Sequence, residues 1–320
     1  THSTLKMKIR TERYLIGIQY VGSHYSGWAF NNEAKLPSIV SIIEEAFKKY
    51  VGRRGNFSNL IGSSRTDAGV HALRNTIHVD ISRQLTSSSA EDTFNNFFDT
   101  NALKQGLNYF LHTKHSHIYI TDVQSVPQSF HARYDAVSRT YLYRIMCPVN
   151  HNSLNCSNLA LFHTDRSYIL RYPIDLNIMR NASNCLIGEM DFSSFRNSTC
   201  QSNSPIRNVK EITFYSSLED EPANSRSNIN DLNTTSLLDP NVHVITMKIV
   251  ADSFLQKMVR NIVGALVHSS NGQSQCNLET LSRLLALKDR SKVMARPAPP
   301  QGLYLADVHY DWDALKIPKL

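Results

Sequence analysis

The chain has 320 residues, 41% of them apolar, and 34 Lys and Arg against 27 Asp and Glu for a formal net charge of +7. This length exceeds the usual single domain and predicts two, each able to bury a core, while no apolar run reaches the roughly 18 residues of a membrane span. The positive balance favours an anionic partner, with nucleic acid first.

Taken in chain order, the elements begin after a basic segment. Thr1 to Arg13 has Glu12 as its only acid and no apolar core of the signal-peptide kind, and it is too short to assign as the remnant of a transit sequence. Arg13 to Val21 places Tyr14, Ile16, Ile18 and Tyr20 on one face, the period of a strand. The loop Gly22 to Trp28 follows, then Ser38 to Tyr50 with Ile39, Ile42, Ile43, Ala46 and Phe47 at helical spacing. Phe57 to Ile61 and Asn75 to Ile81 read as strands. Asp92 to Leu111 reads as a helix with Phe94, Phe97 and Phe98 inward, and Ile118 to Val123 as a closing strand. His112, His115 and His117 sit where that helix ends beside Lys114 and read as a solvated turn rather than a metal cluster.

The remainder repeats the order with longer connections. Thr140 to Met146 is a predicted strand, Leu176 to Leu186 a helix, and Asn208 to Tyr215 and His243 to Val250 two strands. Phe254 to His268 is a predicted amphipathic helix, Leu278 to Leu287 an added helix and Leu303 to Tyr310 the last strand. His151 to Tyr168 reads as an irregular connection, and Ser216 to Asn241, rich in Ser, Asn and Asp, as a mobile hairpin insertion. Two βαββαβ units in tandem predict an α+β fold of two ferredoxin-like halves, residues 1–124 and 125–320, with antiparallel or mixed sheets meeting at a central catalytic cleft. The repeat is one of element order, without sequence similarity between the halves.

Five cysteines (Cys147, Cys156, Cys185, Cys200 and Cys276) are odd in number and never in a C-x-x-C pair, so they indicate neither a disulfide framework nor a zinc site. The expectation is a reducing, intracellular setting, with mitochondrion, cytoplasm and nucleus left open and no oligomeric state assigned. A homodimer is neither required nor excluded.

The chemistry concentrates in Ser63-Ser64-Arg65-Thr66-Asp67-Ala68-Gly69-Val70-His71-Ala72. Asp67 has no second acid within ten positions on either side. A lone carboxylate between Arg65 and His71 suits a reaction with one nucleophile or base. It does not suit a metal site, which needs several ligands, or glycoside hydrolysis, which uses paired acids. The bland alternative is a tight turn in which Asp67 caps and Gly69 supplies a positive φ.

This motif resembles the active-site motif of the TruA-type tRNA pseudouridine synthases, and four further stretches stand in that family's order and spacing. They are Phe130 to Arg133 running into Arg139 to Arg144, Gly188 to Arg196, Phe254 to Gly264, and Pro299 to Leu305. The resemblance spans about Tyr14 to Tyr310, and Ser138-Arg139-Thr140-Tyr141-Leu142-Tyr143 looks most like the metazoan pseudouridine synthase-like branch. It implies isomerisation of uridine to pseudouridine in tRNA, the anticodon arm being the family-based site, with Asp67 attacking C1′ or removing the C2′ proton. No redox change or group transfer is involved, so no cofactor is implied, and RNA is the implied partner with no membrane. Arg260 falls at the edge of its helix's apolar arc, where a guanidinium can turn toward a carboxylate. The resemblance gives that carboxylate as Asp67. Tyr141 and Tyr143 share one face of their strand. In the family the tyrosine matching Tyr141 packs on the target uracil, while Tyr143 reads as cross-strand packing or support. Leu303 is implied to close the apolar wall of the uracil pocket. Arg65 and Arg133 are candidates for phosphate and base-flipping contacts.

The chain departs from the family pattern at Ser64, where glycine is most frequent, at Gly27-Trp28-Ala29-Phe30, and at Ser41 and Ile42, where a Val-Gln pair is usual. These leave open which RNA and which nucleotide are served. Two alternatives remain: a catalytically silent RNA-binding protein of the same fold, whose mark would be loss of the aspartate, and a hydrolase using Asp67 with His71 as the partner that activates water.

Overall fold

The computed structural model describes residues 8–85, 99–114, 117–150, 163–218, 241–270 and 278–317, which hold ten strands and six helices. The chain divides into unit 1, Thr1–Val137 with Leu305–Leu320, and unit 2, Ser138–Tyr304.

In unit 1, β1 (Lys8–Tyr20) buries the predicted face of Tyr14, Ile16, Ile18 and Tyr20. Leu15 points the other way and is equally buried, so the middle of the strand is covered on both sides. α1 (Ile39–Val51) begins where Ser38 Oγ accepts the Ser41 N–H at 3.2 Å, and it turns Ile39, Ile42, Ile43, Ala46 and Phe47 into the core. β2 (Gly55–Gly62) pairs antiparallel with β3 (His71–Leu85), and its register shifts near Asn59, whose φ is +53°. β3 pairs antiparallel with β1, Ile16 opposite Ile77, and β1 with β4 (Ile118–Val126), Ile16 opposite Val123. The order β4-β1-β3-β2, with β3 antiparallel between β1 and β2, is the split βαβ arrangement that the element order predicts.

Of the helix expected over Asp92 to Leu111, the described part is α2 (Thr100–Lys114), which begins after Asp99, whose carboxylate accepts the Asn101 N–H at 2.8 Å. Leu103, Leu107 and Leu111 then supply its buried stripe, while Phe94, Phe97 and Phe98 lie outside the described residues. His117 stacks on His24 with ring centroids 3.8 Å apart, and His115 is outside the described residues.

In unit 2, β5 (Ala136–Pro148) pairs antiparallel with β9 (Val242–Ala251), and β9 with β8 (Ile206–Ser216). Two short strands were not legible in the pattern: β6 (Tyr168–Ile169), parallel to β5, and β7 (Gly188–Asp191), antiparallel to β8. α3 (Leu176–Ser183) starts at Asp175, whose carboxylate accepts two backbone N–H groups, and continues as a 3-10 turn through Leu186. α4 (Met258–Ser269) and α5 (Leu278–Leu287) follow, then β10 (Leu303–Tyr310), which belongs to unit 1 from Leu305 on, and α6 (Trp312–Leu315) in unit 1. The helix predicted from Phe254 starts four residues late: Lys257 takes a left-handed φ of +59° and the Met258 N–H closes on Leu255 O at 3.0 Å. Residues 219–240 of the expected insertion lie outside the described residues.

A buried polar cluster ties the end of β4's connection to the sheet of unit 1. Arg13 grips Asp80 with one edge of its guanidinium, Nε and Nη2, at 2.6 and 2.8 Å, and its Nη1 donates to the carbonyls of Gln128 and Phe130. Asn59 Nδ2 donates to the same carboxylate at 2.7 Å, and the Ala132 N–H donates to His78 Nδ1 at 3.0 Å. Burial pushes the Asp80 carboxyl up, but the bonds from Arg13 and Asn59 outweigh it and hold the pKa below the usual carboxylate value. Burial, with Arg13 and His131 adding to it, depresses His78 to about 4.

The unfolded chain takes up a proton at His78 near pH 6.5, and the folded chain only near pH 4. Stability contributed by this group is therefore complete above pH 6.5 and is lost as pH falls toward 4. Urea unfolding at pH 7.5 and 4.5 should show a loss of roughly 2 kcal/mol on this account. His78→Asn, which keeps an acceptor for the Ala132 N–H, should flatten that part of the profile. An unchanged slope in the variant would assign the acid sensitivity to other groups.

Candidate active site

Asp67 sits half-buried on the loop between β2 and β3, and its backbone has little freedom. The Val70 N–H donates to Asp67 O at 3.1 Å and Gly69 has φ +80°, so the expected positive-φ turn is present and carries the carboxylate rather than replacing its function. The Trp28 N–H donates to Thr66 O at 3.0 Å. Gly27, at φ +106°, lies so close behind the loop that a Cβ there would stand 3.0 Å from Thr66 O and Ala68 N.

Beneath the loop, the amide of Asn75 is fully buried and makes four hydrogen bonds. Its Oδ1 accepts from Ser63 Oγ and the Thr76 N–H, each at 2.9 Å, and its Nδ2 donates to Ser64 O at 3.1 Å and Tyr20 Oη at 3.3 Å. Tyr20 Oη in turn lies 2.8 Å from Thr66 Oγ1. A buried amide with every bond satisfied holds one position, and the residues it holds flank Asp67.

His71, the candidate partner of a hydrolase, is 2% exposed, and its Nδ1 accepts the Gly22 N–H at 3.1 Å. The ring braces the first loop, and this nitrogen is not available to draw a proton from water.

The other predicted residues take their places by unit. Arg65 is exposed on the Asp67 loop, and Arg133 is exposed after β4, 5.9 Å from the ring of Tyr134. Both belong to unit 1, whereas Tyr141, Arg260 and Leu303 belong to unit 2. Tyr141 on β5 is 8% exposed and meets Phe254 edge-on, 5.0 Å between centroids at 82°. Phe254 precedes the helix, whose start follows the left-handed Lys257.

Arg260 is in the first turn of α4, at the positive end of the helix dipole. Its Nε donates to Ala298 O at 2.8 Å, and the Ala298 N–H donates back to Arg260 O at 2.9 Å. The inner edge of the guanidinium is thus fixed by the chain segment that leads to Leu303. The same segment lies close on α4, since a Cβ on Gly264 would fall 2.1 Å from Arg296 O. Tyr143, fully buried, donates its hydroxyl to Pro299 O at 2.7 Å. Burial pushes its phenol well above 10, with Tyr168 adding and Arg260 opposing, so it is a donor and a brace. Leu303, 6% exposed, opens β10 directly after the 3-10 turn Pro300–Gly302.

The family model described as tRNA pseudouridine synthase matches residues 16–135 and 182–311, more than half of the chain. The chain belongs to the TruA-type pseudouridine synthases. It is 31% identical over 309 residues to tRNA pseudouridine synthase A of Cupriavidus pinatubonensis, covering 96% of this chain and 93% of that protein. It is 33% identical over 295 residues to tRNA pseudouridine synthase A of Photorhabdus laumondii subsp. laumondii, covering 92% and 90%. The family is one of isomerases, and its match includes Arg65, Asp67, Arg133, Arg260 and Leu303, while Tyr141 lies in the interval between the two matched segments.

Asn75, Thr66 and Tyr20 are the positioning residues that the motif reading missed. The available signal was an asparagine at the head of a strand otherwise read by its apolar alternation. Asn75→Leu should remove the acceptor of the Ser63 hydroxyl and the donor to the Ser64 carbonyl, and cost about 2–4 kcal/mol in urea unfolding. Gly27→Ala, strained at its φ and crowded against backbone, should cost roughly 1–3 kcal/mol. Wild-type stability in both variants would show that the loop is not clamped from below and behind.

Proposed function

We propose that this chain isomerises uridine to pseudouridine in tRNA, with Asp67 as the acting carboxylate. The observation that carries this reading is the single carboxylate of the family motif on a backbone fixed by Asn75, Gly27 and Trp28. Pre-set geometry is what a positioned nucleophile or base requires.

The reaction begins at Asp67 by attack on C1′ or by removal of the C2′ proton. The C1′–N1 bond breaks, the uracil turns, and C5 bonds to C1′, which displaces Asp67 from C1′ on the first route and is accompanied by return of the proton to C2′ on the second. N1 gains a proton and C5 loses one, so the isomer has the composition of the substrate. Tyr141 supplies an aromatic surface for the uracil, and Leu303 an apolar wall beside it. Arg260 serves as counter-ion of Asp67, in keeping with its fixed inner edge at Ala298 and its place at a positive helix end. Arg65 and Arg133, both exposed, take phosphates or the space of the extruded base. The target uridine is assigned to the anticodon arm by the family resemblance, and mass-spectrometric mapping of treated tRNA reads that position directly.

Asp67→Asn should form no pseudouridine in bulk tRNA, while its affinity for tRNA stays within a few fold, because phosphate contacts set most of the binding. Turnover by this variant, with deamidation excluded, would remove Asp67 from the assigned role. Arg260→Ala should depress the rate strongly. Arg260→Lys should recover only part of it, since lysine has neither the planar fork nor an Nε to donate to Ala298. Single-turnover rates on the same tRNA separate the three proteins, and a wild-type rate for the alanine variant would dismiss the counter-ion.

A further inference from the structure

Tyr134 follows Arg133 on the connection between β4 and β5, with 76% of its surface exposed, more than any other large aromatic among the described residues. An exposed tyrosine ordinarily samples several rotamers in water. This one is backed. Its ring lies 4.3 Å from that of His131 at 30° between planes, and the backbone N–H groups of Arg133 and Tyr134 both donate to His131 Nδ1 at 3.2 Å. Asp135 Oδ2 accepts the His131 N–H at 2.7 Å, and the Asp135 N–H returns to His131 O at 3.0 Å. The His131 ring meets buried His78 edge-on at 4.7 Å, and His78 belongs to the Arg13 and Asp80 cluster below. A ladder of rings thus rises from the floor of unit 1 to the surface, and Tyr134 is its top step. The Arg133 guanidinium stands 5.9 Å from the Tyr134 centroid.

A flat ring held in place, with a guanidinium over it that can swing from the ring to a phosphate as a base stacks, matches the two surfaces of a nucleotide, a π face and a phosphate. An apolar protein partner would use the ring but gain nothing from the guanidinium, and the chain's charge of +7 also favours the polyanion. We propose that Tyr134 is a stacking platform for an unpaired nucleobase of the RNA substrate, apart from the target uridine, with Arg133 on the adjoining phosphate. This rests on the reading of the chain as an RNA-modifying synthase. Every base has a π face, so the platform supplies affinity and register without selecting a base.

The test is a double-mutant cycle on protein and RNA. A set of target tRNAs, each carrying one abasic nucleotide, is titrated against wild type and Tyr134→Ala. The alanine variant should bind unmodified tRNA about 5- to 100-fold more weakly. One abasic position should weaken wild type to a similar degree and add nothing in the variant. Tyr134→Phe and Tyr134→Trp should retain affinity and Tyr134→Leu should not, with thermal midpoints unchanged because the side chain is exposed. In turnover the loss should appear in KM rather than kcat. Binding by Tyr134→Ala within twofold of wild type, a leucine variant equal to phenylalanine, or no abasic position coupled to Tyr134 would each overturn the platform. If wild type itself forms no pseudouridine in any tRNA, the functional reading fails first. Product formation without coupling removes the platform alone.

Discussion

The amide of Asn75 is the constraint on which the rest of unit 1's chemistry depends. A carboxamide taken fully out of water must find a partner for each donor and acceptor or cost more than it contributes. Asn75 finds them in Ser63, Ser64, Thr76 and Tyr20, the first two of which lie on the segment that presents Asp67. Gly27 closes the segment from the opposite side, and a side chain there would meet backbone rather than a flexible tip. Loops ordinarily gain mobility from their exposure. Here the loop is exposed at Arg65 and Ala68, while its backbone is tied at Ser64, Thr66 and Asp67.

Unit 2 solves a related problem with backbone. Ala298 binds Arg260 twice, through the side-chain Nε and the main-chain carbonyl, and Tyr143 holds the next residue, Pro299. Gly264 permits this approach because the strap lies where a Cβ would otherwise be. The orientation of Arg260 therefore depends on residues about 38 positions away in sequence that carry no charge.

What the amino-acid sequence revealed follows from what each signal measures. Apolar spacing located β1, α1, α5 and β10 because each of these has a face turned from water, and α5 and β10 keep the predicted limits. The same spacing misplaced the start of α4, since Phe254 and Leu255 satisfy a helical period while Lys257 adopts the opposite sign of φ, which spacing does not register. β6 and β7, two and four residues long, are too short to show a period. Asp67, Arg65 and Gly69 were legible because the candidate carboxylate and its turn are consecutive. The Asn75 network was not, because it joins residues 11 to 55 positions apart through polar atoms that each look ordinary alone.

The division of the chain also bears on how it acquires its structure. Unit 2 is one continuous segment, whereas unit 1 is completed by residues that follow all of it. In unit 1, the hydroxyl of Tyr310 donates to Ala132 O at 2.8 Å and sits 2.6 Å from Thr76 Oγ1, so Thr76 on β3 and Ala132 gain this shared contact only once β10 has been synthesised. At some ten residues per second, the ribosome needs on the order of twenty seconds to pass from the end of unit 1's first segment to that strand. During that interval the part of β3 that β2 does not cover, from His71 to Thr76, lacks the neighbour that β10 provides. A nascent chain held at this stage is the form most exposed to chaperones and to strand-edge association.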